Sequence, residues 1–248
     1  MKAIKSCAVV LSLLLNMLAT PSTMSQPTLI ASPNLNVSGN NGYQFPFNLG
    51  ESQVESMRYQ QVYASSDFAT TMPLGGYISA IRFDVATDQN GGHPFLATLP
   101  RLQINLSTTT MAVDGLSTVF AQNVGADDTV VFGPSSITLS DDGFSGADII
   151  IRFGTPFFYD PSAGNLLMDV RNFGGGSTSP FNANDSPGDT VSSLWSLSVG
   201  DPAGRLQTTG LITVFEVTPV PEPATVGLFV VAALFLGLFR RKLSAFKP

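Results

Sequence analysis

Short runs of alternating apolar and polar residues recur along the middle of the chain, separated by Gly, Pro, Asn and Asp. Alternation with a period of two is typical of half-buried β-strands, and no helical periodicity persists long enough to predict a helix. One run predicts a shared face for Tyr77, Ile81, Phe83 and Val85. The other predicted strands lie in residues 59–63, 102–107, 129–132, 137–139, 148–153, 166–171, 191–199 and 211–217.

Eight to ten strands with turn signals at short intervals predict an all-β fold, an antiparallel two-sheet sandwich. A jelly-roll-like arrangement is our first choice. An immunoglobulin-like sandwich is second, because its Cys…Trp…Cys pattern is absent. Residues 87–100 and 172–189 are predicted to be long loops. Binding sites are often found in such loops. The same sequences are also compatible with disordered surface insertions.

The first 25 residues have the pattern of a secretory signal peptide. Lys2 and Lys5 precede an apolar stretch at 7–18, and cleavage is expected between Ala19 and Gln26. The chain's one cysteine, Cys7, would leave with this peptide. The exported part would then have no disulfide, no thiol nucleophile and no thiolate metal ligand.

The other end of the chain has the pattern of a membrane segment. Pro221, Glu222 and Pro223 precede an apolar run at 224–239, and Arg240, Arg241 and Lys242 follow it. The prolines favour an extended, accessible peptide. The run has 16 residues, fewer than the roughly 20 that span a bilayer comfortably, but the arginines can extend to the interface. A basic cluster after the run predicts a single transmembrane helix with everything upstream outside.

The order of motif, apolar helix and basic cluster resembles the PEP-CTERM sorting signal of exported bacterial proteins. The resemblance covers about thirty of 248 residues. It implies recognition by exosortase, a membrane cysteine enzyme, with Pro221, Glu222 and Pro223 as the recognition motif and the basic residues as the membrane stop. It also implies an association with exopolysaccharide and biofilm. The alternative is a plain anchor that is never cut.

The middle of the chain also resembles a group of β-sandwich proteins of unknown function that commonly carry this signal. The segments that carry this resemblance are 58–63, 102–109 and 161–171. It implies the fold and the export route, and no catalytic activity.

These patterns divide the chain into a signal peptide (1–25), an exported β-sandwich domain (26–218) and a sorting signal (219–248). The exported domain has six arginines against fourteen aspartates and three glutamates, a formal net charge of −11. Nucleic-acid binding is excluded, because it requires basic patches that neutralise phosphates. Acidity of this degree is typical of a soluble extracellular domain.

Enzymatic chemistry finds little support in the sequence. The single histidine, His93, lies in a Gly-Gly-His-Pro segment without a nucleophile motif nearby. The glutamates of the domain are Glu51, Glu55 and Glu216, which do not form an evident glycosidase pair. We therefore expect a protein that is not an enzyme.

Calcium is the most credible ligand, because hard cations bind carboxylates in loops. The weak candidates are Asp127, Asp128, Asp141, Asp142 and Asp148. None matches a known calcium motif, and tight turns also require Asp.

Aromatic residues could instead provide a surface for sugars. Trp195 is expected to pack in the core rather than to form a sugar platform. Side chains with a better expectation of exposure are Tyr43, Tyr59, Tyr63 and Tyr159.

We thus expect an exported protein, first a membrane-anchored precursor and then part of the cell surface or extracellular matrix. Its expected role is that of a structural or polysaccharide-associated component. The alternatives are a secreted hydrolase acting on matrix polysaccharide and a plain C-terminally anchored binding module.

Overall fold

The structure is a computed structural model that describes residues 26–33, 39, 41–50, 53–86, 92–142 and 149–221. The predicted signal peptide and the predicted membrane segment at 224–239 lie outside these residues. Within the described ranges, no helix has the length and apolar character needed to cross a membrane.

Thirteen β-strands lie in the described residues, and every strand pairing is antiparallel. The strands are β1 (Thr28–Ser32), β2 (Asn41–Tyr43), β3 (Met57–Tyr63), β4 (Gly76–Phe83), β5 (Phe95–Thr109), β6 (Thr129–Asp141), β7 (Ile149–Tyr159), β8 (Asn165–Asn172), β9 (Phe181–Asn184), β10 (Val191–Ser196), β11 (Arg205–Gln207), β12 (Gly210–Leu211) and β13 (Thr213–Pro219). Two helical turns, Ser66–Ala69 and Phe120–Asn123, complete the regular structure of this part of the chain.

The strands form two main sheets and one small one. The four-stranded sheet has the order β1-β13-β4-β7, and the six-stranded sheet has the order β11-β10-β3-β8-β5-β6. A three-stranded sheet, β12-β9-β2, lies beside them. The predicted all-β sandwich of antiparallel sheets is therefore confirmed.

The main core joins the four-stranded and six-stranded sheets. The Tyr63 ring of β3 packs edge-on against Phe215 of β13 with 5.0 Å between centroids. Its hydroxyl lies 2.8 Å from the hydroxyl of Thr213. The neighbouring residue on the same face of β3, Gln61, bonds to Leu211 just before β13. Gln61 contacts Leu211, and two residues later Tyr63 contacts Thr213. Because the residue numbers rise together on the two sides, β3 and β13 run in the same direction.

A second apolar cluster covers the outer face of the six-stranded sheet. Val62, Leu167 and Leu194 point away from the main core and pack against Leu116 and Phe120. The segment between β5 and β6 therefore covers this face, so β3 and β8 are buried on both sides. Burial on both sides explains the weak alternation of residues 59–63 in the sequence.

The predicted face of residues 77–85 is wrong at its first position. Ile78, Ile81 and Phe83 are buried, whereas Tyr77 is 50% exposed on the opposite side. The register of β4 shifts between Ile78 and Ala80 against both neighbouring strands. One extra residue in a strand reverses the side on which the following side chains point.

Other predicted boundaries also need correction. Residues 129–132 and 137–139 belong to one strand, β6, which continues through Gly133 and Pro134 with a shift of register. The strand predicted at 191–199 ends at Ser196.

Neither predicted long loop is a simple loop. The strand β5 already begins at Phe95, within predicted loop 87–100. Predicted loop 172–189 contains β9, whose residues are all buried, and Thr178 and Ser179 are buried before it. This second segment packs into the sandwich, and disorder is the wrong interpretation for it.

Candidate functional site

A groove beside Trp195 is a concave feature of the described surface. It has a volume of about 330 Å³ and is lined by Trp195, Ser196, Leu197, Asp201, Ala203, Gly204 and Arg205. These residues come from the end of β10, the loop that follows it and the start of β11. Its walls combine an indole, an exposed leucine, a carboxylate and a guanidinium.

Trp195 is half-buried, and several contacts fix its position. Its indole N–H donates a 2.8 Å hydrogen bond to Oε1 of Gln207. The amide of Gln207 in turn donates to the hydroxyl of Tyr43. Phe45 packs against the indole at 5.3 Å, and the Arg205 guanidinium lies over it, 5.6 Å from the ring centroid. The expected packing of Trp195 against the core is confirmed, but the residue also forms one wall of the groove.

The loop 197–204 is held against the segment between β5 and β6. Phe120 N–H donates to Pro202 O at 3.1 Å, and Gly204 N–H donates to Thr118 O at 2.8 Å. Gly204 approaches Trp195 so closely that a β-carbon there would lie 2.6 Å from the Trp195 carbonyl oxygen. Ser196 donates its hydroxyl proton to the carboxylate of Asp201. The groove is therefore formed before any ligand binds.

The prediction that four tyrosines are exposed is wrong. Tyr59, Tyr63 and Tyr159 are fully buried, and Tyr43 is half-buried. Burial raises the pKa of each of these phenols above its ordinary value. The tyrosine that is exposed is Tyr77, which the sequence pattern assigned to the core.

Two of the calcium candidates already serve as hydrogen-bond acceptors. Asp127 accepts the backbone N–H of Thr108 at 2.7 Å, and both carboxylate oxygens of Asp128 accept from Asn105 at 3.0 Å. Asp141 and Asp142 lie at the end of β6, and Asp148 lies outside the described residues. In the part of the chain that the structure describes, no three His, Cys, Asp or Glu residues lie close enough to hold a metal ion. Calcium binding stays a prediction.

Among the residues that the structure describes, two carboxylates are buried, and arginines neutralise both. Asp169 accepts from Arg58 at 3.1 and 2.5 Å and lies 3.5 Å from Arg171. Glu216 accepts from Arg82 and from Arg152. Asp169 lies on the outer face of the six-stranded sheet, whereas Glu216 lies on the outer face of the four-stranded sheet. Packed sheets are about 10 Å apart, so the sandwich separates these acids.

The remaining catalytic candidates are peripheral. His93 is exposed, its backbone N–H donates to the Ser179 hydroxyl at 2.9 Å, and one ring nitrogen lies 3.2 Å from Pro94 O. Glu55 is exposed, and Glu51 lies outside the described residues.

One acidic group was missed by sequence reasoning. Burial raises the pKa of the Asp189 carboxyl, and the charges of Asp114 and Asp185 raise it further. Asp114 also accepts the backbone N–H of Gly188 at 3.2 Å. Asp114 lies about 70 residues before Asp185 and Asp189, so no local sequence pattern indicates that these three acids are close together.

The chain leaves the sandwich from a central strand. Thr218 pairs with Tyr77, Pro219 pairs with Gly76, and Val220 N–H donates to Gly75 O at 2.9 Å. Sheet pairing therefore continues past residue 218, the predicted end of the domain. Pro221, the next residue, is exposed, while Glu222 and Pro223 of the predicted motif and Arg240, Arg241 and Lys242 of the predicted stop lie outside the described residues.

An antiparallel β-sandwich whose last strand leads directly into the sequence Pro221-Glu222-Pro223 is the arrangement expected of an exported protein with a C-terminal sorting signal. The family model of the PEP-CTERM protein-sorting motif matches residues 219–242. The chain therefore carries a PEP-CTERM sorting motif, which indicates an exported protein that exosortase sorts and that is processed at the membrane. No curated protein and no solved structure matches the chain.

Proposed function

We propose that this protein is a non-enzymatic component of the bacterial cell surface or extracellular matrix that binds polysaccharide in the groove beside Trp195. In this proposal residues 224–239 hold the precursor in the membrane until exosortase acts near Pro221. The observation that carries the polysaccharide role is the preformed groove.

The groove has the chemistry that a sugar unit requires. Sugars present apolar C–H faces to aromatic and aliphatic side chains, and hydroxyl groups to charged donors and acceptors. Trp195 and Leu197 offer the first kind of surface, and Asp201 and Arg205 offer the second. A volume of about 330 Å³ is near the lower limit of ligand pockets, so the groove suits a short unit of a polymer.

A non-enzymatic role is supported by the state of the buried acids. A glycosidase needs two carboxyl groups about 5 to 10 Å apart, one of which gives up or takes a proton. Asp169 and Glu216 are each paired with arginine, and they lie on opposite outer faces. Neither buried carboxylate faces the groove.

The strand order supports a jelly roll as the finer description of the sandwich. Eight strands in chain order, β1, β3, β4, β5, β6, β7, β8 and β13, can be numbered one to eight. One sheet then has the order 1-8-3-6, and the other contains the order 2-7-4-5. Two interleaved Greek keys produce these orders, and jelly rolls include lectin domains.

The sorting step can be tested by intact mass in the native bacterium. The wild-type protein should lose residues 1–25 and everything beyond the region of Pro221. Replacing Pro221, Glu222 and Pro223 by alanine should leave the fold intact and abolish the C-terminal cut. An unchanged mature mass in this triple variant would refute sorting through the motif, and a wild-type mass that retains 224–248 would indicate a plain anchor.

The polysaccharide role can be tested with two matched arginine variants. Arg205 and Arg101 are both exposed, and each lies over an aromatic ring, Trp195 and Phe173 respectively. Arg205→Gln should weaken binding to the bacterium's own extracellular polysaccharide about tenfold, the loss of roughly 1.4 kcal/mol. Arg101→Gln makes the same charge change outside the groove and should leave binding unchanged. Equal binding by both variants would exclude the groove as the polysaccharide-binding site.

A further inference from the structure

A small apolar surface lies beside the point where the chain leaves the sandwich. Tyr77 is 50% exposed and Phe158 is 45% exposed, and their rings meet edge-on at 5.3 Å between centroids. Leu74, in the turn before β4, is 45% exposed. We call Leu74, Tyr77 and Phe158 the exit patch. Single exposed apolar residues are ordinary, but two touching exposed aromatic rings form a contiguous surface.

The exit patch is fixed in position by the sheet. Tyr77 is the direct partner of both Phe158 on β7 and Thr218 on β13. Phe158 also packs so closely on Gly75 that a β-carbon there would lie 2.8 Å from its ring. The aromatic pair therefore lies on a rigid strand pair, on the outer face of the four-stranded sheet and next to the last paired residues of the domain.

The length of chain beyond the patch limits its distance from the apolar run. Thr218 pairs with Tyr77, and the run begins at Ala224. Six residues span at most about 20 Å even when fully extended. Once residues 224–239 enter a bilayer, Thr218, the strand partner of Tyr77 in the exit patch, must therefore lie within about 20 Å of the hydrocarbon edge.

We infer that the exit patch rests on the lipid headgroup boundary in the membrane-held precursor. This inference depends on the proposed membrane segment at 224–239. Aromatic side chains are favourable at that boundary, because an apolar ring and a polar edge are both accommodated there. Tyr77 and Phe158 thereby orient the sandwich and hold the Pro221 segment at the membrane surface, where a membrane-embedded enzyme can reach it.

The electrostatics favour a neutral lipid surface. The charged groups on the same sheet face, Glu216 with Arg82 and Arg152, compensate one another in part. The exported domain as a whole is strongly acidic, so anionic headgroups would repel it. The contact should therefore be apolar, strongest on zwitterionic phosphatidylcholine and insensitive to salt.

The test places a fluorescent label at the patch and at a matched site far from it. Leu96 is 78% exposed on β5, near Phe95, whose ring contacts Phe181 and through it Phe83 at the far end of β4. The full chain carrying Cys7→Ser and one of Tyr77→Cys, Phe158→Cys or Leu96→Cys is labelled with a small fluorophore. It is then reconstituted in phosphatidylcholine vesicles containing a nitroxide-labelled lipid.

The inference predicts quenching severalfold stronger at positions 77 and 158 than at position 96. Equal quenching at all three positions in a chain that floats with the vesicles would overturn it while leaving the membrane segment intact. A chain that does not float with the vesicles would refute both the proposed membrane segment at 224–239 and the inference about the exit patch. A third result would identify a second copy of this chain as the occupant of the exit patch. In that case the fluorophore at position 77 is shielded from water but not quenched by nitroxide, and the shielding disappears when the protein is diluted into more lipid.

Discussion

The side chain of Gln61 joins the small three-stranded sheet to the six-stranded sheet, and replacing it by leucine tests this arrangement. Gln61 is fully buried on the inner face of β3. Its amide nitrogen donates to Leu211 O at 2.8 Å, and its amide oxygen accepts from Leu211 N–H at 2.8 Å and from the Tyr59 hydroxyl. The side chain thus pairs with β12 as a neighbouring strand would.

The magnitude follows from the groups that Gln61→Leu leaves behind. The Leu211 N–H and the buried Tyr59 hydroxyl both lose the Gln61 amide oxygen as acceptor. The Leu211 carbonyl keeps a longer contact, 3.3 Å from the Thr213 hydroxyl. Each buried group without a partner costs about 1 to 3 kcal/mol, so we expect a loss of about 3 kcal/mol. At a urea slope of about 2 kcal/mol per molar, the unfolding midpoint should fall by about 1.5 M.

Fluorescence of Trp195, the single tryptophan of the chain, is the assay. It reports unfolding in urea, and its native emission should also change, because its partner Gln207 lies three residues before β12. Gln103→Leu is the matched control, since that half-buried amide makes one side-chain bond, to Asn105 at 2.8 Å. A midpoint shift no larger than that of the control would refute the structural role of Gln61.

Three further predictions use the same assay. Arg58→Gln removes the two bonds that Arg58 donates to the buried Asp169 carboxylate, which keeps a 3.1 Å bond from Gln60, and should cost about 3 kcal/mol. Arg152→Gln, whose side chain is 69% exposed, should cost less than about 1 kcal/mol. Gly204→Ala should shift Trp195 emission and destabilise by about 1 to 3 kcal/mol, while Gly200→Ala, with its nearest contact at 3.9 Å, should do neither. The raised pKa of Asp189 means that the folded state holds this proton more tightly than the unfolded state, so its contribution to stability is present at low pH and lost as the pH rises above about 3.8. The advantage of Asp189→Asn over wild type should therefore be greater at pH 7 than at pH 4, and a constant difference would contradict the assignment.

Some strands could be predicted because polar and apolar residues alternate along them, even where, as in β8, both faces are buried. Residues 102–107 and 166–171 lie within β5 and β8. The prediction of side-chain exposure failed where tertiary packing buries both faces of a strand, as in β3. Tyr59 and Tyr63 were expected to be exposed, but buried partners satisfy both hydroxyls, so their rings can enter the core.

Long-range contacts explain the other failures. Residues 181–184 form a strand between β2, about 140 residues earlier in the chain, and β12. The groove combines Trp195 with Arg205 through the pairing of β10 with β11, and the segment near Phe120 holds its loop. A local pattern contains no information about such partners. The sorting motif could be recognised because its order along the chain is itself the signal.

The two proposed surfaces lie toward opposite ends of the sandwich, and strand register establishes this. Trp195 pairs with Tyr59, near the start of β3, and the groove loop continues beyond Ser196 and Arg58. Because β3 and β13 run in the same direction, Val220 leaves the sheet beyond the other end of β3. A domain held at its exit patch therefore presents the groove away from the membrane. Polysaccharide would reach the groove in the anchored precursor as readily as in the processed protein, so attachment and binding do not compete for the same surface.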